Sequence, residues 1–139
     1  MRNLAAVATT LALLAPLPAL AAEKIDGVWE GAYVCGQGKT ALTLTLDGDA
    51  DGRVAGTFAF GPRSDNPGVP RGRYVVEGNI TPKGQFTLRG VRWLEQPTDY
   101  AMVDLKGGAY NSANPGGPDV LTGTLTGAPG CTEFAAERK

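Results

Sequence analysis

From residue 25 to the C-terminus, apolar side chains recur at every second position, and nowhere at the spacing of an amphipathic helix. That period puts successive side chains on opposite faces of an extended chain, so such a chain can bury one face of a sheet. Residues 40–46 show it most plainly: Leu42, Leu44 and Leu46 fall on one face, Thr43 and Thr45 on the other. Similar segments are read at 27–35, 53–60, 72–79, 85–89, about 100–106, 120–126 and 131–136.

Between them stand turn residues: Gly36-Gln37-Gly38, the acidic stretch 47–52, residues 62–70, Pro82-Lys83-Gly84, residues 107–118, and residues 127–130. All 20 glycines lie beyond residue 21. Evenly spaced strands without helices predict an all-β sandwich or barrel. Mostly short connections and eight segments favour a closed, antiparallel up-and-down barrel, the size at which side chains fill the interior.

Cys35 and Cys131 are the only cysteines. In an eight-stranded meander the first and last strands are neighbours, and these two positions fall at the same barrel end. A disulfide across that seam is therefore expected, with a chain-entropy contribution of roughly 4–5 kcal/mol for so long a loop. Phe134 is opposite in parity to Cys131, so either the last strand is bulged or the bridge lies outside the core.

The N-terminus opens with Met1-Arg2-Asn3, an apolar run from Leu4 to Leu14, and Ala19-Leu20-Ala21. This has the form of a secretory signal peptide over residues 1–21, too short to span a bilayer needing about 20 apolar residues. Residues 22–139 then form a single domain, expected in the periplasm or secreted, where a disulfide persists. The formal net charge of −1 shows neither a nucleic-acid stripe nor a polybasic membrane patch. Neither nucleic acid nor stable membrane insertion is expected.

Histidine is absent, which excludes Ser-His-Asp and Cys-His catalysis and the commonest transition-metal ligand. No spacing singles out a carboxylate pair, so the chain reads as non-enzymatic and without a cofactor. Asp47, Asp49 and Asp51, followed by Gly52, match the opening of a calcium loop, but the twelfth position is Phe58 where a glutamate is required. An acidic hairpin turn explains the same residues.

Alternating strand direction gathers residues 36–39, 61–71, 91–99 and 127–130 at the disulfide end. The candidate binding residues there are Gln37, Lys39, Arg71, Arg92, Trp93, Glu95 and Gln96, with Trp93 either a binding anchor or a plug for the barrel mouth. The expected function is a binding module that uses these loops on a protein or glycan of the cell envelope, including an enzyme to be inhibited. The alternative is a small-ligand carrier with the barrel interior as its pocket. An interior filled by Leu42, Leu44, Phe58, Phe60, Tyr74, Val76, Phe86 and Leu88 weighs against a roomy pocket.

The pattern Gly27-x-Trp29-x-Gly31-x-Tyr33-x-Cys35-x-Gln37-Gly38, with Trp93, Pro97, Tyr100 and a late Cys131, resembles a small exported bacterial β-barrel domain. Gly27-x-Trp29 on a first strand is similar to lipocalins and avidins, and that resemblance implies a barrel around a small ligand. Tyr33-x-Cys35 before a Leu/Thr strand is similar to periplasmic lysozyme inhibitors of the MliC type, which implies a disulfide-bearing barrel that blocks a hydrolase.

Overall fold

A computed structural model describes residues 25–112 and 114–139. The expected signal peptide, residues 1–21, lies outside them. Eight strands follow in chain order: β1 (Gly27–Cys35), β2 (Gly38–Gly48), β3 (Arg53–Gly61), β4 (Gly72–Ile80), β5 (Gln85–Glu95), β6 (Asp104–Tyr110), β7 (Val120–Thr126) and β8 (Glu133–Arg138). Each pairs antiparallel with the next, and β1 pairs with β8, so the sheet closes into an up-and-down barrel. Closure leaves no strand at a sheet edge.

Alternation decides what goes inside. Trp29, Leu42, Leu44, Phe58, Tyr74, Val76, Phe86 and Leu88 are all buried, as is Phe60. Their neighbours Thr45, Glu77 and Thr87 are exposed on the outer wall. Each large apolar side chain removed from water contributes about 1.5–3 kcal/mol, so a one-residue slip of any strand would forfeit several at once.

The chain departs from strict alternation in β5, which runs on to Glu95 instead of ending at Arg89. Its ladder with β4 shifts twice: Val76 pairs with Gly90 but Val75 with Arg92, and Tyr74 pairs with Trp93 but Arg73 with Glu95. Val91 and Leu94 are the extra residues, and both are exposed. Each bulge reverses the parity and conceals the strand from a period-two reading. Arg92, Trp93 and Glu95 therefore stand on a strand, not on the loop expected at 91–99.

The sixth strand is displaced toward the C-terminus as a whole. Residues 100–103 belong to the connection, and β6 continues through Gly107 and Gly108 to Tyr110. Those glycines read as turn punctuation, but they mark a close approach. A Cβ on Gly107 would stand 2.0 Å from the Thr122 carbonyl oxygen, and one on Gly123 2.0 Å from that of Lys106.

Cys35 and Cys131 are bonded across 96 positions. The last strand begins at Glu133 rather than at Cys131, so the bridge sits at the rim beside the ladder. That removes the conflict of parity, because Cys131 precedes the ladder in which Phe134 and Ala136 face inward. A disulfide fits an oxidising, extracytoplasmic setting. Among the described residues, no helix is long and apolar enough to cross a membrane.

Candidate functional site

The two mouths of the barrel are finished differently. At the mouth away from the disulfide, Ile25 is fully buried, and its carbonyl accepts the Trp29 Nε1–H at 2.9 Å. The Arg138 guanidinium lies 4.2 Å from the Trp29 ring centroid. The Asp26 carboxylate accepts the Gly48 N–H, and Arg138 reaches Asp119 at 3.4 Å. The chain leading into β1 plugs this mouth.

At the disulfide end the mouth is open, as a cup of about 320 Å³. Its floor is Tyr33, Phe58, Phe60 and Tyr74, all inward-facing near strand ends. Asp99, Tyr100 and Ala101 supply one wall from the β5–β6 connection, and Gln37, Ala128 and Pro129 supply the other. The rings pack on one another: Phe58 stacks on Tyr74 at 4.7 Å, Phe60 stacks on Tyr100 at 5.4 Å, and Tyr33 meets Phe58 edge-on at 5.2 Å. Such pairs fix ring orientation as well as burying area.

Two hydroxyls sit in this floor. The Gln37 Nε2 amide donates to the Tyr33 hydroxyl at 3.1 Å. Burial pushes the Tyr33 phenol well above its ordinary range, and the neighbouring Tyr100 phenol adds to the effect, against weaker opposition from Thr40 and Gln37. Thr40, fully buried, shares the inward parity of Leu42 and Leu44 and donates to the Gly38 carbonyl at 3.1 Å. The Tyr74 hydroxyl donates to the Val103 carbonyl at 3.0 Å and accepts the Val103 N–H at 3.1 Å. Burial raises its pKa too, against the Val103 hydrogen bond. Both phenols are neutral.

The loops around the cup are tied down. Tyr74 pins the end of the β5–β6 connection, and Met102 packs where Gly90 has no side chain. The Asn66 Nδ2 amide donates to the carbonyls of Gln37 at 2.8 Å and Lys39 at 3.0 Å, fastening the β3–β4 loop to the β1–β2 turn. The Gly36 N–H donates to the Pro129 carbonyl at 3.0 Å beside the disulfide. The opening is preformed, which reduces the ordering cost of binding.

Of the seven residues expected to bind, Gln37 alone lines the cup. Trp93 is half-buried behind it, edge-on to Tyr74 at 5.1 Å and to Phe60 at 6.2 Å. Lys39 is exposed on the outer face of β2. Arg71 is exposed, its side chain beside Gly61. Arg92 and Glu95 are exposed on β5, and Gln96 donates to the Tyr100 carbonyl at 3.3 Å. The sequence reading missed Tyr33, Phe60, Asp99 and Tyr100 as a group. Parity marked Phe60 as inward-facing, but Tyr33 was not assigned to the interior, and nothing in the pattern said that the connection carrying Asp99 and Tyr100 folds over them.

Asp47, Asp49 and Asp51 fall at the plugged end. The Asp49 Oδ1 accepts the N–H groups of Asp51 at 2.9 Å and Arg53 at 3.0 Å, the work of a turn-forming aspartate. Among the described residues, no three His, Cys, Asp or Glu side chains come together to hold a metal. A larger hollow of about 610 Å³ lies on the outer wall over β2–β5, among exposed charges of both signs such as Asp47, Arg53, Glu77 and Arg89. It lacks the aromatic floor of the cup, and we place the candidate site in the cup.

Neither a family model nor a curated relative matches the chain. Among solved structures, it is similar to a de novo designed fluorescence-activating beta barrel. The two share 15% identity at a TM-score of 0.53, over 86% of this chain and 96% of that one. At that identity the likeness shows the fold alone: an eight-stranded antiparallel barrel.

Proposed function

We propose that this protein is an exported, non-enzymatic barrel that binds a small, largely apolar ligand in the cup at its disulfide end. The observation that carries this reading is the preformed aromatic opening at one mouth of a barrel whose other mouth is plugged by its own chain. Small ligands are held in concave, mostly apolar sites of about 300–1,000 Å³ with a few placed polar groups, and the cup sits at the lower bound of that range. The similarity to lipocalins and avidins agrees with it, and the designed barrel of the same architecture is a fluorescence-activating one. The phenols of Tyr33 and Tyr74 are neutral and already hydrogen-bonded, which supports a binding role over acid–base chemistry. Export to the periplasm or the medium is supported by the disulfide and the form of residues 1–21.

The test is titration with N-phenyl-1-naphthylamine, whose emission rises in apolar surroundings. Saturable uptake at one dye per protein is expected, and Ala101→Trp, which fills the mouth from an exposed position, should weaken it about tenfold or more, the worth of roughly 1.4 kcal/mol. Uptake that Ala101→Trp leaves unchanged, or no uptake, overturns the reading. N-terminal sequencing of the exported protein should begin at Ala22.

A further inference from the structure

The electrical character of the cup is one-sided. Its floor is aromatic and Tyr100 stands in one wall, and such rings attract cations through their quadrupole. The one formally charged side chain lining it is Asp99, exposed at the rim and without an ion-pair partner among the described residues. The basic side chains of this end are turned elsewhere. Arg63 is paired with Asp65 at 2.8 Å, Lys39 stands on the outer face of β2, Arg71 lies against Gly61, and Arg92 is exposed on β5. None of them lines the cup.

Asp99 is also the one residue other than glycine with a positive φ among the described residues, at 65°. Glycine adopts that conformation without cost, and aspartate is among the few side chains that tolerate it. An aspartate there brings a carboxylate to the rim of an aromatic opening. The plugged mouth shows the complementary arrangement already filled, with the Arg138 guanidinium seated over the Trp29 ring. At the open mouth the rings and the carboxylate have no cation from among the described residues.

We propose that the cup selects an organic cation, a protonated amine or quaternary ammonium borne on a flat apolar body. The charge sits at the rim beside Asp99, and the body rests against Tyr33, Phe60 and Tyr100. This inference rests on the small-ligand reading and narrows it to one class of ligand.

The experiment displaces bound N-phenyl-1-naphthylamine with three naphthalenes that differ in one substituent: 2-trimethylammonium, 2-hydroxymethyl and 2-sulfonate. The cation should bind about tenfold more tightly than the neutral compound, the size of a desolvated cation–π contact with a nearby carboxylate, and the sulfonate most weakly. Asp99→Asn removes the charge while keeping a residue that accepts positive φ, so the fold is retained. It should weaken the cation about fivefold and leave the neutral compound within about twofold. Equal affinity for cation and neutral compound overturns this inference and leaves the small-ligand reading standing. A preference for the cation that Asp99→Asn does not alter overturns the role given to Asp99. Dye uptake that none of the three displaces removes the ligand class, and absence of dye uptake removes the underlying reading as well.

Discussion

The two mouths of this barrel are built from the same eight strands and end in opposite chemistry. At one, Ile25 and Arg138 cover Trp29, and backbone and side-chain polar groups at the entry to β1 and the end of β8 satisfy one another. At the other, six rings (Tyr33, Phe58, Phe60, Tyr74, Trp93 and Tyr100) pack together. There the ties run around the opening and not across it. Asn66 joins two loops, Tyr74 holds a third, and the disulfide fastens the fourth. Structure is invested in covering one mouth and in holding the other open. A barrel end keeps an opening when its aromatic floor is completed but the chain does not cover it.

The comparison breaks most readily on stability. Trp29→Ala empties a fully buried position at the plugged mouth and should cost about 3–5 kcal/mol. Tyr100→Ala removes a half-buried ring stacked on Phe60 at the open mouth and should cost no more than about 1.5 kcal/mol, while weakening dye binding about tenfold. Urea denaturation and dye titration of the two variants check both statements. Equal losses of stability would mean that the open mouth is packed as tightly as the closed one.

A second difference concerns alkali. Tyr33 and Tyr74 both lie at the open end, and burial keeps both protonated in the folded barrel, whereas in the unfolded chain they ionise near pH 10. Their raised pKa values contribute stability that is fully present below that pH and is lost as pH rises above it. The loss is about 1.4 kcal/mol per pH unit for each phenol. Tyr33→Phe should remove one of these two contributions from the slope of unfolding free energy between about pH 10.5 and 12. A slope identical to that of the parent would show that the Tyr33 phenol is as free to ionise folded as unfolded.

How much of this was legible beforehand follows from what alternation can carry. It places β1 and β7 at their observed bounds and puts Phe58, Phe60 and Tyr74 inside, because one buried face imposes one parity. It loses β5 after Arg89, where the two bulges reverse parity, and so mistakes the strand bearing Arg92 and Trp93 for a loop. It also takes Gly107 for a turn, because a glycine demanded by a close strand crossing looks the same in sequence as one demanded by a bend. The cup was legible at its floor but not at its wall. Asp99 and Tyr100 reach it through a connection held by long-range contacts, the hydrogen bonds of Tyr74 with Val103, Tyr100 on Phe60 and Met102 against Gly90, which local alternation does not encode. Of the polar residues gathered at this end, Gln37 reaches the cup because it occupies the tight β1–β2 turn directly above Tyr33.

The smallest expected effect lies at the plugged mouth, in the acidic turn. Asp49 is exposed, and its carboxylate closes the turn by accepting two backbone N–H groups that water can reach. Asp49→Ala should therefore cost only about 1 kcal/mol, since solvent replaces much of what is lost. Asp49→Asn retains the oxygen acceptor and should fall within about 0.5 kcal/mol of the parent. Because this turn stands at the opposite end from the cup, both variants should bind the dye as the parent does. Thermal melts with millimolar calcium and with chelator complete the test: a turn that uses its carboxylate internally gains nothing from the ion. A rise in melting temperature with calcium that Asp49→Ala abolishes would make this turn a metal site, and a change in dye affinity on that same substitution would mean that the two mouths are coupled.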